Sequence, residues 1–425
     1  GAVQAFDYDI LGNLLAQTDS LGNVTRYEYN ALNQKIKETD RNGFDTVFTY
    51  DLEGKLTSIT DAEGGVTSYE YDSRGQLIKE TFPKGQAGTS VKLYEYDPAG
   101  RLVKRTVTTA EYLSNPSPLV GEVGRGGNTN PNSSNPEVTV YEYDSADRLT
   151  ARKYPAETNS DDEFSYDPAG RLLTAASFRY NNTVVRDYEE SGLLASETLH
   201  VDGSAYPVSY GYDDAARLSE LTYPSGKTVT REYAADNMLT GVAVNGTAVQ
   251  NRVYDAGNRL TGKTYGNGLM EYRSYMPNDN LVQNINTPGV VDFSYSYDMN
   301  KQKLSENDGV MPQFSQSFQY DPEGRLVNWS RGDGETQTWN LTPVNDWNST
   351  TIDGKTQIRE HSDVHEVTRI RGRRANTRLR YDFKGNLIRK LGRDGLTLTW
   401  DSENRLASAR KRGRISSYRY DALGR

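Results

Sequence analysis

Short runs in which every second residue is aromatic or aliphatic recur along the whole chain. In the run that follows Gly22, the side chains of Thr25, Tyr27 and Tyr29 fall on one face at a period of two residues. A second type of run, seen at residues 77–81, begins with Leu directly after a turn. Both types are too short for the helices of an α-solenoid, and they predict β-strands.

A seven-residue motif, Tyr-Asp-x-x-Gly-x-Leu, joins a run of the first type to a run of the second. It is clearest from Tyr96 to Leu102. Asp accepts hydrogen bonds from backbone amides further along a turn, and Gly adopts the positive φ that closes it. A second turn, such as residues 19–22 or 61–64, ends the unit. The motif therefore predicts one β-hairpin for each repeat.

We assign the motif residues a structural role, with Tyr ending one strand, Asp and Gly making the turn, and Leu opening the return strand on the shared face. The copies that carry all four residues are Tyr50, Asp51, Gly54 and Leu56; Tyr71, Asp72, Gly75 and Leu77; Tyr96, Asp97, Gly100 and Leu102; Tyr166, Asp167, Gly170 and Leu172; Tyr320, Asp321, Gly324 and Leu326; and Tyr381, Asp382, Gly385 and Leu387.

Counting looser copies, about 19 repeats of roughly 21 residues fill residues 1–425. We therefore expect a single repeat array, all-β, with about 38 strands in one long antiparallel ribbon. Open sheets beyond about 10 strands curl or split because strands twist. The prediction is a β-hairpin ribbon wound into a spiral, which forms a shell-like cocoon or part of one.

One interruption, residues 108–137, breaks the repeat. It is rich in Pro, Gly, Asn and Ser and poor in residues that could pack. We expect a disordered or flexible insertion loop inside the array, since solenoids accept insertions at their turns. A landing site for a partner is the alternative interpretation of this loop.

Composition narrows the possible chemistry. The aromatic residues comprise 30 Tyr against 10 Phe and 4 Trp, which favours a thin wall over a large dry core. The absence of Cys excludes disulfides and thiolate chemistry. No apolar run is long enough to cross a bilayer, so we expect no membrane insertion by this segment. The missing initiator Met and the ending within a repeat suggest a segment of a longer chain.

The motif, in its full form Tyr-Asp-x-x-Gly-Arg-Leu, closely resembles the YD repeats of the RHS protein family. The resemblance extends over nearly the whole chain. It implies a hollow β-sheet cocoon like the shells of bacterial polymorphic toxins, insecticidal toxin complexes and the related teneurins. Neither the core segment with its self-cleavage site nor the toxin that follows it in such shells is found before Arg425, so no cleavage role is carried over to this chain.

What the resemblance implies is a non-catalytic structural wall that encapsulates a polypeptide cargo, such as a C-terminal toxin domain absent from this sequence. The partners would be that cargo or other shell segments, and the location would be secreted or at the cell surface. The alternative is an extracellular adhesin whose Tyr-rich strand faces bind glycans. The direction of the tyrosine side chains discriminates between the two hypotheses, because an adhesin needs them exposed.

We expect no catalytic, cofactor or metal site. His361 and His365 lie four residues apart, but one ends a strand and the other lies in a turn, so they are not expected to bind a metal together. The Asp-x-x-Gly turns lack the dense ligand spacing of an EF-hand. Each motif Asp already has a turn to make, and nearly identical repeats leave no differentiated active-site pocket.

The net charge is −9, but Lys and Arg outnumber Asp and Glu by 17 to 5 from Arg369 to Arg425. This basic end could contact nucleic acid or an acidic partner. A solvated face or a lining that attracts cargo is the simpler interpretation. We expect no nucleic-acid binding.

Overall fold

The computed structural model describes residues 4–114, 136–155, 161–277, 279–373, 375–392 and 395–425. Within them the backbone forms 37 strands: β1 Ala5–Tyr8, β2 Leu14–Thr18, β3 Val24–Tyr29, β4 Lys35–Thr39, β5 Asp45–Tyr50, β6 Leu56–Thr60, β7 Val66–Tyr71, β8 Leu77–Gly85, β9 Gly88–Tyr96, β10 Leu102–Thr109, β11 Glu137–Tyr143, β12 Leu149–Lys153, β13 Asp162–Tyr166, β14 Leu172–Ser177, β15 Asn182–Tyr188, β16 Leu194–Val201, β17 Ser204–Tyr212, β18 Leu218–Thr222, β19 Thr228–Tyr233, β20 Leu239–Val244, β21 Thr247–Tyr254, β22 Leu260–Tyr265, β23 Met270–Tyr275, β24 Val282–Thr287, β25 Val291–Tyr297, β26 Lys303–Asp308, β27 Gln316–Tyr320, β28 Leu326–Arg331, β29 Thr336–Leu341, β30 Trp347–Ile352, β31 Lys355–His361, β32 Val367–Gly372, β33 Ala375–Tyr381, β34 Leu387–Leu391, β35 Leu396–Trp400, β36 Leu406–Lys411 and β37 Arg414–Ser417.

Helix is confined to two short segments of the described chain. They are the five-residue α1, Ala110–Ser114, and a three-residue 3-10 helix, Pro312–Phe314. No helix in these ranges is therefore able to span a membrane.

Every strand pairs antiparallel with the next strand in sequence, from β1–β2 to β36–β37. The result is a single 37-stranded sheet that does not close on itself. The all-β hairpin ribbon expected from the sequence is confirmed. The number of strands is also close to the expected value of about 38.

Within each motif, Tyr and Leu are direct cross-strand partners. Tyr50 pairs with Leu56 and Tyr166 pairs with Leu172, and in both hairpins the register shifts just before the Tyr. This irregularity bends the end of the strand into the turn. Because paired residues lie on the same side of a sheet, Tyr and Leu of one motif share a face.

That face, which we call the tyrosine face, is covered more than the opposite face. In β5 the side chains of Thr46, Phe48 and Tyr50 are half-buried, whereas those of Asp45 and Val47 are exposed. The same alternation recurs in β29 and, in part, in other strands. The ribbon therefore has one partly covered face, which carries the motif residues, and one face open to solvent.

Side-chain contacts between residues far apart in sequence show that the ribbon coils. The backbone N–H of Ser20 donates to Asn300, 280 residues later, and that of Gln86 donates to Glu366, also 280 residues later. Near the C-terminal end, Arg425 contacts Glu197 at a separation of 228 residues. Residues 299–425 thus lie along the edge of residues 19–202, and we call this line of contact the seam.

The coil encloses little dry core. The chain exposes 25019 Å², whereas a compact monomer of the same mass exposes about 16,000 Å². Among the described residues the one cluster of fully buried apolar side chains is small: Ala175, Val184 and Ala422, with Phe164 and Leu199 packed against it. It lies at the seam. A single-layer wall, rather than a globular domain, accounts for both observations.

The interruption expected at residues 108–137 starts later than the sequence suggested. Thr108 and Thr109 complete β10 and are buried, and α1 follows directly. On the other side, Glu137 already belongs to β11, which pairs with β10 and so restores the ribbon. Residues 115–135, which contain most of the expected loop, lie outside the described residues.

Candidate functional site

The motif Asp organises the turn through one carboxylate oxygen. In the repeat at Tyr50, Asp51 Oδ1 accepts the backbone N–H groups of Glu53 at 2.9 Å and Lys55 at 2.8 Å. Asp167 Oδ1 accepts the N–H of Arg171 at 2.8 Å in the same way. These hydrogen bonds, with the Arg171 guanidinium, hold the pKa of Asp167 below its usual value.

The fourth turn position has a left-handed backbone whether or not Gly occupies it. Gly54 has φ 86° and Gly170 has φ 84°. Where Gly is replaced, the conformation persists, as at Asn258 with φ 60°, Ala216 with φ 60° and His365 with φ 63°. Gly and Asn tolerate this region, whereas other side chains are strained in it.

The motif tyrosine hydroxyl connects one repeat to the previous one. Tyr166 donates to the backbone carbonyl of Leu149 at 2.9 Å, and Tyr188 donates to that of Leu172 at 2.8 Å. Trp400, which replaces Tyr, makes the same contact through Nε1 to Leu387 at 2.9 Å. This hydrogen bond gives a partner to a backbone carbonyl beside the turn, where the hydrogen-bond ladder between the two strands is interrupted.

An Arg four residues after the motif Asp makes three contacts at once. Arg148 Nε donates to Asp144 Oδ2 at 2.7 Å, and its Nη1 donates to the backbone carbonyl of Asp167 in the next repeat at 3.0 Å. The guanidinium carbon also lies 5.0 Å from the ring centroid of Tyr166. Its planar fork matches this combined role, which a Lys ammonium could not reproduce.

The motif tyrosines form a row along the ribbon, and the contacts described above engage their rings and hydroxyl groups. The motif tyrosines from Tyr29 to Tyr420 are half-buried, and Tyr8 at the start of the array is exposed. Several rings are covered on one side by Arg, as at Arg171 over Tyr188 at 4.6 Å. The row is thus an internal support of the wall and not a free aromatic surface.

The seam begins as a line of polar contacts between turns of the two coils. Asp19 Oδ2 accepts hydrogen bonds from Asn300 Nδ2 at 2.8 Å and Arg41 Nη1 at 3.2 Å. The backbone N–H of Arg41 donates to Glu323 Oε1 at 2.6 Å. Asp19 and Glu323 both lie in hairpin turns, so the elements that close the hairpins also join one coil to the next.

Further along, the seam becomes buried around Asp401, whose side chain is 4% exposed. Asp401 Oδ2 accepts from Tyr180 at 2.8 Å and Arg405 Nε at 2.8 Å, and lies 3.2 Å from Arg179. Burial opposes ionisation of this carboxyl, but hydrogen bonds and the charge of Arg405 outweigh it and lower its pKa. The Tyr180 ring packs edge-on against Tyr420 at 5.9 Å.

Asp162 is the most buried carboxylate of this region, at 1% exposure. It accepts from the Tyr154 hydroxyl at 3.2 Å and pairs with Arg152 at 2.9 Å. Burial raises its pKa, although these partners favour the ionised form. Arg152 also donates to the backbone carbonyl of Ala422 in the next coil. The pair of Asp162 and Arg152 therefore links the two coils at the seam.

A cavity of about 710 Å³ opens along the seam between the two coils. Its lining includes Phe82, Tyr94, Arg105, Glu366 and Lys384. Tyr94 donates to Glu80 at 2.9 Å, and burial together with that carboxylate raises the Tyr94 pKa. Two charged groups of the lining already have partners outside it, because Arg105 pairs with Glu403 at 3.2 Å and Lys384 pairs with Glu137 at 2.6 Å.

The two histidines at positions 361 and 365 do not meet as a pair. His361 ends β31, while His365 turns toward Asp346, with Nδ1 3.0 Å from Oδ2. The basic C-terminal stretch is partly neutralised: Arg371 pairs with Glu360, and Arg419 pairs with Asp202 across the seam at 2.7 Å.

The RHS Repeat family model matches residues 8–45 and 50–87. These residues therefore carry RHS repeats, which confirms the resemblance of the motif there. No curated protein matches the sequence.

The ribbon architecture is shared with one solved structure, and others are similar to most of this chain. The crystal structure of TcdB2-TccC3-TEV is similar over 98% of this chain, with 13% identity and a TM-score of 0.52. That of TcdB2-TccC3-Cdc42 has 14% identity over 100% of this chain and a TM-score of 0.39, and the Photorhabdus luminescens Tc holotoxin pore has 12% identity over 96% and a TM-score of 0.38. Each match covers 29% of the solved chain, so this sequence spans less than a third of their length. The first likeness shows a shared fold.

Proposed function

We propose that this chain is the wall of an RHS-type shell that encloses a polypeptide cargo and acts by containment rather than catalysis. The observation that carries the proposal is the seam. A single-layer ribbon coils far enough for residues 299–425 to meet residues 19–202 edge to edge, and polar and buried contacts join them. A ribbon joined to itself in this way makes a continuous surface, as containment requires.

The distribution of backbone pairing supports the same role. Each strand between the first and the last is paired on both sides, so the described part of the wall presents no free strand edges between its two ends. Stability in such an array is a sum of neighbour contacts, which resists local opening anywhere along the ribbon. The cargo would be a polypeptide outside residues 1–425, and the setting would be secreted or at the cell surface.

The adhesin alternative requires an exposed row of tyrosines, and the motif row does not supply one. Its rings are half-buried and its hydroxyl groups donate to backbone carbonyls. Among the described residues the exposed tyrosines outside the motif are Tyr206, Tyr223, Tyr272 and Tyr418, which do not recur in each repeat and so do not form a regular row. Glycan binding is therefore the weaker hypothesis.

Protease protection tests the proposal directly. An unstructured, protease-sensitive reporter fused after Arg425 should be cleaved at least tenfold more slowly than the free reporter if the wall contains it. Tyr180→Phe, which removes the hydroxyl that donates to Asp401 across the seam, should open the seam and restore rapid cleavage. Equal cleavage of fused and free reporter would reject containment by this chain, and glycan-array binding would instead favour the adhesin.

A further inference from the structure

Four side chains that can bind metals meet where the coils touch near the middle of the seam. Asp61 and Glu63 lie in the turn between β6 and β7, Asp346 in the turn before β30, and His365 in the turn before β32. One potential ligand atom from each of Glu63, Asp346 and His365 falls within 4.8 Å of the others. The repeat motif alone does not explain this grouping.

The imidazole of His365 is held from both sides. Its Nδ1 lies 3.0 Å from Asp346 Oδ2, and its Nε2 lies 3.3 Å from Asp61 Oδ2. Asp61 has a free oxygen for this contact because its Oδ1 already accepts the backbone N–H groups of Glu63 and Gly65. A carboxylate behind one ring nitrogen fixes the orientation of the other, as in carboxylate–histidine–metal arrangements.

We propose that Glu63, Asp346 and His365 bind a divalent transition-metal ion of the Zn²⁺ class, with Asp61 as the positioning residue for the imidazole. Zn²⁺ binds imidazole nitrogen and carboxylate oxygen at about 2.0 to 2.2 Å in a tetrahedron, so adjacent ligand atoms lie about 3.3 to 3.6 Å apart. Nδ1 and Asp346 Oδ2 lie 3.0 Å apart and need to separate by only a few tenths of an ångström to bind the ion together. Glu63 is exposed, and its carboxylate makes no hydrogen bond or ion pair within the described residues, so it is able to move onto the ion.

The choice of ion follows from the ligands. An imidazole with carboxylates suits zinc and related transition metals, whereas calcium and magnesium prefer all-oxygen sites. The ion would connect the first coil, through Glu63, to the second, through Asp346 and His365. The ion would thus hold the two coils together at a place where the other contacts across the seam are made by partly exposed side chains.

A charged imidazole bridging Asp61 and Asp346 without metal is the competing explanation for the same geometry. Glu63 distinguishes the two explanations, because it is a ligand of the proposed metal ion but takes part in neither of the contacts that the His365 ring nitrogens make with Asp61 and Asp346. Removing the Glu63 charge should weaken metal binding and leave an imidazolium bridge intact.

Calorimetric titration of Zn²⁺ into the metal-stripped chain tests the site. We expect one equivalent to bind, with at least about tenfold weaker binding in both Glu63→Gln and His365→Asn. Asn suits this position because Asn237 and Asn345 adopt the same left-handed turn conformation, with φ 68° and 72°, so the variant keeps its fold. His361→Gln is the matched control and should bind as the unaltered chain does.

A second readout is hydrogen exchange of the turn amides at residues 61–65 and 362–366, which Zn²⁺ should slow in the unaltered chain and in His361→Gln only. The proposal is overturned if no zinc binds, if His365→Asn or Glu63→Gln binds with unchanged affinity, or if His361→Gln loses binding.

Discussion

The Tyr166 hydroxyl donates a 2.9 Å hydrogen bond to the backbone carbonyl of Leu149, the residue that opens the return strand of the preceding repeat. The same bond recurs between Tyr188 and Leu172 and between Tyr233 and Leu218. The residue that identifies each repeat in the sequence is therefore also the residue that joins it to its neighbour.

Tyr166→Phe should destabilise its repeat locally by about 1 kcal/mol, because one hydrogen bond is lost and the Leu149 carbonyl loses its partner. Hydrogen exchange of the amides in β12 and β13 measures the effect. Tyr206→Phe is the control, since Tyr206 is exposed and its hydroxyl makes no hydrogen bond within the described ranges. Equal exchange in both variants would contradict the assigned role.

Ala216→Gly should stabilise the chain by roughly 0.5 to 1 kcal/mol. Ala216 has φ 60°, and relief of this left-handed strain exceeds the entropy that Gly adds to the unfolded chain. The midpoint of urea unfolding is the measurement. The neighbouring Ala215 does not have a positive φ, so Ala215→Gly should shift the midpoint the opposite way; a loss in both variants would count against the strain argument.

Stability should fall when pH drops below about 4. The pKa of Asp167 is lowered in the folded chain from its usual 3.8, chiefly by the backbone N–H of Arg171, so its contribution is present above the unfolded pKa and is lost as pH falls through the folded one. The pKa values of Asp97, Asp144 and Asp213 shift in the same direction for the same reason.

Asp167→Asn keeps an oxygen for the turn amides but loses the ion pair with Arg171. We expect this variant to be less stable at pH 7 and to lose less stability between pH 7 and pH 3, as followed by urea midpoints. The exposed Glu163, whose side chain has no hydrogen bond or ion pair among the described residues, provides the control Glu163→Gln. An unchanged pH dependence in Asp167→Asn would refute the linkage.

Tyr180→Phe should open the seam while leaving the ribbon intact. The Tyr180 hydroxyl donates to the buried carboxylate of Asp401. Because this acceptor is charged, we expect the variant to lose about 1.5 to 3 kcal/mol of stability at the seam, more than Tyr166→Phe loses in its repeat. Faster hydrogen exchange should be confined to residues 179–181 and 401–405. Exchange that spreads instead through β14 and β15 would show that Tyr180 supports the ribbon rather than the seam.

Much of the ribbon could be predicted because its contacts are local in sequence. The alternation of Thr25, Tyr27 and Tyr29 gives the strand, and the Asp and Gly of the motif give the turn. The role of the motif Arg was missed, although its regular place four residues after Asp, as at Arg148 and Arg171, was a visible signal. Two-residue turns at Asn245-Gly246 and Asp353-Gly354 also follow a known hairpin signature, which the four-residue turns expected from the sequence did not include.

The seam could not be predicted from the motif. Which residues meet there depends on how many repeats complete one coil, and this number results from small twists added over many strands. Asp401 has the same motif position as Asp51, yet only Asp401 is buried against another coil. The cluster at His365 was missed for the same reason, since Asp61 and Glu63 are about 300 residues away in sequence.

The seam also sets a rule for how such a chain can change length in evolution. Within the ribbon a repeat touches only its neighbours, so a duplicated or deleted copy would keep every motif contact. Adding one copy between Asp202 and Asn300 would instead displace each seam residue from its partner by a whole unit. Arg41 would no longer meet Glu323, nor Tyr180 meet Asp401. The motif contacts therefore set no limit on the number of repeats, whereas the seam contacts fix how many repeats make up one turn of the coil.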